Sequence, residues 1–369
     1  MYLEKLQLLN FKNYPDAELE FSRAVNCFAG NNGAGKTNLL DAIHYLCLCK
    51  SFFNPIDSQQ IRYGQDLFVV QGTFQRNGEK ETVYCGLKRN QKKQFKRNKK
   101  EYQRLADHIG LFPLVMISPN DGELITGGSE ERRKFVDNVI SQTDNGYLDT
   151  LIQYNKGLSG RNALLRKSNG HPDPDLLEVF DEQLIRYGEV IYRKRREFLD
   201  QFTSLFHGHY EFISSDAEKI SMTYESGLHE TGFTEGLIRA RERDHYLQRT
   251  TFGIHRDDLV FSIEGHPLKK FGSQGQQKSF LIALKLGQYS YLFEKKGFKP
   301  LLLLDDIFDK LDGLRIKHLM EMVVKDDFGQ LFLTDTDPSR LKVLFGEIGV
   351  PATIFRIEKG RVEKDEEGE

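Results

Sequence analysis

Net charge is almost absent from this chain: 52 Lys+Arg stand against 54 Asp+Glu, which leaves −2 at pH 7. That excludes a protein that binds nucleic acid through bulk positive charge, so any such surface must be a local patch. Cysteine is scarce. Cys27, Cys47, Cys49 and Cys85 are too few for a disulfide framework and lack the paired spacing of a zinc site. Cys47 and Cys49 sit in an apolar, helix-like run and read as buried thiols. No apolar run reaches the roughly 18 residues of a membrane-spanning helix. The N-terminus, MYLEKLQLLNFKNY, is charged and polar within its first five positions, unlike a secretory signal. No repeat with a period of about 20–50 residues and no low-complexity linker is present. These absences point to a soluble protein of a reducing compartment, with a cytoplasmic location and no membrane partner expected.

What is present is an ordinary globular mixture. The chain has 369 residues, 39% hydrophobic and 29% charged, enough for two or three domains with buried cores. Apolar residues Leu3, Leu6, Leu8 and Phe11, then Ala17–Phe21 and Val25–Ala29, predict strands around a turn at Asn13–Asp16. From Lys36, apolar residues recur at helical steps through Leu48. Strand-like runs return at Phe68–Phe74, Glu81–Cys85 and Leu114–Ser118. Residues 129–212 read as helices with a loop at Ser168–Pro174. Residues 219–224 and 258–264 alternate like strands, and Gly275–Phe293 is helical. Pro300–Leu304 and Gln330–Thr334 are short apolar runs of the buried parallel-strand type. The charged tail from Lys359 predicts a frayed end.

Two motifs carry phosphate chemistry. Gly30-Asn31-Asn32-Gly33-Ala34-Gly35-Lys36-Thr37 matches G-x-x-x-x-G-K-[ST] and lies between a predicted strand and a predicted helix, the context the motif requires. Its glycines let backbone N–H groups curl round a phosphate, and the helix N-terminus adds partial positive charge. Lys36 would reach the β- and γ-phosphates of ATP, and the Thr37 hydroxyl would ligate Mg²⁺. Far along the chain, Leu301–Leu304 ends in Asp305-Asp306. Two carboxylates at the end of a buried strand are costly unless a cation neutralises them. Asp305 would hold Mg²⁺, and Asp306 would position or deprotonate an attacking water. A helix cap is the competing role for either acid.

Most of the chain lies between Lys36 and Asp305, far more than a compact P-loop core needs. The expected fold is therefore α/β: a P-loop ATPase head with a largely helical second lobe inserted in it. Lobe I would comprise residues 1–118 and 252–369, lobe II residues 119–251. Phe271-Gly272-Ser273-Gln274-Gly275-Gln276-Gln277 opens a helix and resembles the signature motif of ABC-type ATPases. There a serine and backbone amides clamp the γ-phosphate of a nucleotide held by another subunit. A plain helix cap flanked by glycines is the alternative. Asp309-Lys310-Leu311-Asp312 resembles a D-loop. Thr334 or Asp335 stands where the switch histidine of ABC transporters would be.

A basic stretch, LKRNQKKQFKRNKKEYQR from Leu87 to Arg104, holds nine Lys/Arg and one Glu, with Phe95 and Tyr102 interleaved and Asn98 available for a hairpin turn. Lys88, Arg89, Lys92, Lys93, Lys96, Arg97, Lys99 and Lys100 would neutralise DNA phosphates without sequence preference. A solvated hairpin of surface lysines is the alternative. Arg193–Arg196 is a weaker candidate, better read as the exposed face of a helix. Arg132 and Arg133 fit either packing or sensing of nucleotide.

Taken together, Leu8–Tyr14, the phosphate loop, Ser118–Asp121, Gly128–Asp137, Tyr154–Asn162, His255–Asp258, Gly272–Gln277 and Leu301–Asp312 resemble the bacterial RecF family of ABC-type, SMC-like ATPases. The resemblance spans nearly the whole chain. It implies an ATP-binding, DNA-binding recombination mediator acting at gaps and stalled forks, with RecO and RecR as partners and a role in the SOS response. It also implies an ATP-dependent homodimer whose catalytic groups are Lys36, Asp306 and Ser273. Nucleotide contacts would extend to Lys12, Asn13, Gly275 and Gln276. Lys12 stands where the family more often has arginine.

Rival classes fit less well. An SMC-type structural protein needs a far longer heptad-bearing insertion than residues 129–250, which Gly and Pro interrupt. A nuclease with an ATPase head has no room for a metal-carboxylate domain after Asp312. A transporter ATPase lacks so large an insertion. A vestigial ATP site is opposed by the intact Lys36, Thr37, Asp305 and Asp306.

Overall fold

Fifteen strands and the helices between them are seen in a computed structural model, which describes residues 1–169, 172–214, 218–307 and 328–364. The D-loop candidate Asp309–Asp312 lies outside these residues. The chain forms two units, Met1–Asp121 with Leu284–Glu369, and Gly122–Ala283.

In the first unit, β1 (Tyr2–Phe11), β2 (Tyr14–Glu20), β4 (Leu67–Arg76), β5 (Glu79–Lys88), β6 (Gln94–Arg97) and β7 (Lys100–Glu101) form an antiparallel sheet in the order β2-β1-β4-β5-β6-β7. A bulge between Leu3 and Lys5 shifts the register, which explains why Leu3 and Leu6 both point inward despite their odd spacing. A second sheet has the order β15-β14-β3-β13-β12-β8. Its members are β3 (Val25–Ala29), β8 (Leu114–Ile117), β12 (Leu301–Leu304), β13 (Leu331–Asp335), β14 (Ala352–Glu358) and β15 (Arg361–Lys364). The first five of these run parallel, and β15 closes an antiparallel edge hairpin. Leu301–Leu304 and Val25–Ala29 are buried throughout, as strands covered on both faces must be. The helix Lys36–Leu48 is buried on nearly every side, in one core with residues of both sheets.

Of the tail expected to fray, residues 359–364 turn and pair instead, and the rest lies outside the described residues. Lys359 and Gly360, both at positive φ, make a tight turn that folds β15 onto β14.

The second unit contains the helices Ser129–Thr143, Asn145–Lys167, Pro174–Ser214 and Phe233–Leu247 and a small sheet β11-β10-β9, with β9 at Ile220–Glu225, β10 at Asp258–Ile263 and β11 at His266–Pro267. The expected return of the chain at residue 252 is corrected. The crossing falls between Ala283 and Leu284, inside the helix Gln274–Lys296. The cause is long-range pairing: β10 is zipped antiparallel onto β9, and Phe280 packs 4.7 Å from Phe206.

Residues of three family motifs converge in this unit as packing. Arg195, 2% exposed, donates to Asp137 (3.0 Å), to Asp257 (3.1 Å) and to the Ile254 carbonyl (2.9 Å). Tyr224 donates to Asp257, and Tyr154 Oη meets His255 Nδ1 at 2.9 Å. Arg132 grips both oxygens of Asp258, and Arg133 donates to the Asp257 carbonyl. Arg132 and Arg133 are thus packing residues here. The reading of Arg193–Arg196 as an exposed face fails at Arg195, whose helix turns it into the core. Truncating Arg195 would remove the cation that pairs with buried Asp257 and half-buried Asp137, leaving each only a tyrosine hydroxyl among these bonds. Arg195→Ala is expected to cost about 3–5 kcal/mol, read as a lower denaturant midpoint with an unchanged slope.

Candidate nucleotide site

Residue 30 begins where β3 ends, at the carboxyl edge of the parallel sheet, the edge at which open α/β sheets bind ligands. Gly33 (φ 78°) and Gly35 (φ 121°) turn the loop through backbone conformations that favour glycine. A Cβ at Gly35 would also run into the Asn13 side chain. The loop is braced from outside. Asn13 Nδ2 donates to the Ala34 carbonyl (2.8 Å), Tyr14 Oη to the Gly35 carbonyl (3.0 Å), Gly360 N to the Ala34 carbonyl (3.1 Å), and Asn38 Nδ2 to Asn13 Oδ1 (2.7 Å). The Lys36 ammonium spans the loop and donates to the carbonyls of Gly30 (2.6 Å) and Asn31 (3.1 Å).

Beside the loop, β12 delivers Asp305. Its Oδ1 accepts from Thr37 Oγ1 at 2.8 Å and from Thr334 Oγ1 at 2.9 Å. Thr334 Oγ1 in turn accepts from Asp306 N at 2.9 Å. Burial pushes the Asp305 carboxyl above the ordinary carboxylate range, against the two threonine hydroxyls that favour its charge. Asp306 takes a left-handed backbone, φ 51°, at the lip. A cleft of about 290 Å³ opens here between Gly33, Lys36, Thr37, Pro119, Asp305 and Asp306.

The structure thus brings Lys36, Thr37, Asp305 and Asp306 together on one cleft, with Asn32 and Gly35 also at its wall. Of the two switch candidates, Thr334 faces the site, while Asp335 is locked to Arg340 Nε at 2.8 Å. Asn13 stands against the loop as expected. Lys12 does not: its ammonium pairs with the buried Asp41 at 2.5 Å, and Asp41 also accepts from Ser51 and Phe52 N. Tyr14, Asn38 and Gly360 are the residues missed. They act through hydrogen bonds between distant segments, which no local motif announces.

In the second unit, Ser273 caps the helix Gln274–Lys296. Gln276 N donates to Ser273 Oγ (3.2 Å), and Ser273 N donates to Gln276 Oε1 (2.6 Å), a reciprocal capping box. Ser273 is exposed and Gly275 half-buried.

On the basic stretch, Asn98 and Lys99 form the expected turn, both at positive φ. Lys88, Arg89, Lys92, Lys99 and Lys100 are exposed. Lys93 is not part of an open surface: it reaches inward to the Cys49 carbonyl (2.7 Å) and Asp57 (2.8 Å). Arg97 pairs with Glu81. Phe95 is buried and packs on His108 at 4.8 Å, with Tyr102 beside both, so these rings serve the core.

A braced phosphate loop after β3, an acid pair after β12 with β13 between the two strands, and a parallel sheet beside an antiparallel one define an ATPase of the ABC type. Comparison agrees. Residues 2–343 match the family described as RecF/RecN/SMC N terminal domain. The DNA replication and repair protein RecF of Phocaeicola vulgatus is 51% identical over 100% of this chain and 99% of its own. A solved recombination mediator protein RecF-ATP of the RecFOR pathway is 32% identical, with a TM-score of 0.89 over 99% of this chain and 97% of that one. The Smc head domain of Pyrococcus furiosus shares the fold, with a TM-score of 0.58 at 14% identity over 99% of this chain and 96% of that one. The chain belongs to the RecF family.

Because the fold raises the Asp305 carboxyl, the folded state holds that proton more tightly than the unfolded chain does. Stability from this group is therefore greatest below the ordinary carboxylate range and is lost as pH rises through the raised value. Asp305→Asn, which keeps an acceptor for both threonines, is expected to melt at or above the parent temperature at neutral pH and to lose Mg²⁺-dependent turnover. A lower melting temperature would show that the ionised carboxylate stabilises the fold.

Proposed function

We propose that this chain is a recombination mediator of DNA replication and repair that binds ATP and uses it to control its hold on DNA. The meeting of Lys36, Thr37 and Asp305 at the carboxyl ends of β3 and β12, two parallel strands with β13 between them, carries this reading. Loop amides and the Lys36 charge bind the phosphates of ATP. Thr37 and Asp305 suit Mg²⁺: they are hard oxygens 2.8 Å apart, of the kind this cation takes alongside phosphate oxygens. Bound there, Mg²⁺ would neutralise charge developing on the β- and γ-phosphate oxygens. Asp306, steadied by its N–H bond to Thr334, orients the attacking water and takes its proton.

Ser273 and the first amides of its helix make a second anion site. It engages ATP held by another copy, and a two-fold axis uses each site twice. ATP thereby joins two subunits and hydrolysis releases them. Exposed Lys88, Arg89, Lys92, Lys99 and Lys100, with Lys96, contact single-stranded or gapped DNA through its phosphates. RecO and RecR are the expected partners, fork maintenance and the SOS response the expected setting, and the cytoplasm the expected location.

Fluorescent-ATP titration tests the nucleotide site. Lys36→Ala should lose measurable affinity; unchanged affinity would place nucleotide elsewhere. Asp306→Asn should keep ATP, turn over about 100- to 10,000-fold more slowly and accumulate as a dimer. Turnover at the parent rate would leave Asp306 a structural turn residue. Ser273→Arg should bind ATP normally but show no ATP-induced dimer by light scattering. A dimer from this variant would refute the head-to-tail arrangement.

A further inference from the structure

On the outer face of the antiparallel sheet, register sets Gln71, Tyr84 and Lys96 side by side across β4, β5 and β6. Val83, Cys85 and Leu87 of the same strand fill the core, so the Tyr84 side chain projects from the opposite face. Gly86 is next on that outer face. The phenol leans across it, such that a Cβ at Gly86 would come within 2.5 Å of Tyr84 Oη. The ring therefore leans along the sheet over Gly86, and Tyr84 borders a depression on this face. Lys96 Nζ stands over that ring, 5.6 Å from its centroid. Beside it lies a depression of about 580 Å³ bordered by Gln71, Thr82, Asn98 and Lys99. Lys99 is exposed, as are Lys88 at the end of β5 and Lys92 on the turn into β6, while Glu101 sits opposite Lys96 on β7.

A flat aromatic ring flanked by amides and lysines suits a base together with its phosphates. Duplex DNA offers phosphates and groove edges but keeps its base faces stacked, so only an unpaired nucleotide can use the Tyr84 ring. We propose that this face holds an unpaired nucleotide of single-stranded DNA, its base stacked on Tyr84 and its phosphates on Lys96 and Lys99. The inference rests on the DNA-binding reading above and narrows it to a strand chemistry and a place.

The test compares the full-length parent, Tyr84→Ala and Tyr84→Phe on a single strand carrying 2-aminopurine and on a blunt duplex of equal length. Tyr84→Ala should bind the single strand about tenfold more weakly, as expected for loss of one stacked base, and should no longer quench 2-aminopurine. Its duplex affinity, ATP affinity and melting temperature should match the parent's, and Tyr84→Phe should restore single-strand binding. Photocrosslinking of the parent to a strand containing 5-iodouracil should map to Tyr84, a result that does not depend on any variant folding. Unchanged single-strand binding by Tyr84→Ala, an equal loss on duplex, or crosslinks that avoid β5 and β6 would overturn the proposal. A parent that binds neither DNA would overturn the DNA-binding reading itself, and this inference with it.

Discussion

One carboxylate oxygen, Asp305 Oδ1, joins three distant pieces of the chain. It accepts from Thr37 at the start of the buried helix and from Thr334 at the end of β13, while Asp305 itself directly follows β12. That junction requires β12 and β13 to be adjacent and in register, which their parallel pairing provides through Leu304 and Leu333. Asp305 N donates to the Ile117 carbonyl of β8, and Gly30 N donates to the Asp335 carbonyl of β13. The phosphate loop, the acid pair and the residue that bridges them are thus held by main-chain bonds of a single sheet. Burying a carboxylate there disfavours its charge. The same burial leaves a hard, poorly solvated oxygen facing the cleft.

The loop is held as firmly from the other side. The Asn13–Tyr14 corner between β1 and β2 and the turn at Gly360 between β14 and β15 both bond to its carbonyls. Gly360 has no room for a side chain, since a Cβ would lie 2.5 Å from the Asn13 carbonyl oxygen. Both ends of the sequence are therefore committed to the rigidity of the site. Such preorganisation lets binding energy go to orienting phosphate rather than to ordering the loop.

Chemistry carried by neighbouring residues was legible in the sequence. The stretch from Val25 to Thr37 and the run from Leu301 to Asp306 each join a strand directly to its reactive groups, so local pattern suffices. Positions whose role depends on distant partners were not legible. Lys93 looks like its neighbours in a basic run, yet Asp57 and the Cys49 carbonyl draw it inward. Lys12 is spent on Asp41, and Arg195 on Asp137 and Asp257. Phe95 is interleaved with lysines in sequence, but strand alternation buries it. The charged stretch Arg361–Lys364 pairs as β15 because a two-residue turn at positive φ folds it back onto β14. The unit boundary moved to Ala283–Leu284 because the β9–β10 ladder and the Phe206–Phe280 contact span long stretches of chain.

Hydrogen–deuterium exchange with and without Mg²⁺-ATP tests the central claim most directly, that Asp305 unites these segments into one nucleotide site. Binding should slow exchange together in residues 30–38, 304–306 and 333–336, with the bracing turn near Gly360 following them. Protection confined to other segments, or present at 30–38 without 304–306, would contradict the account.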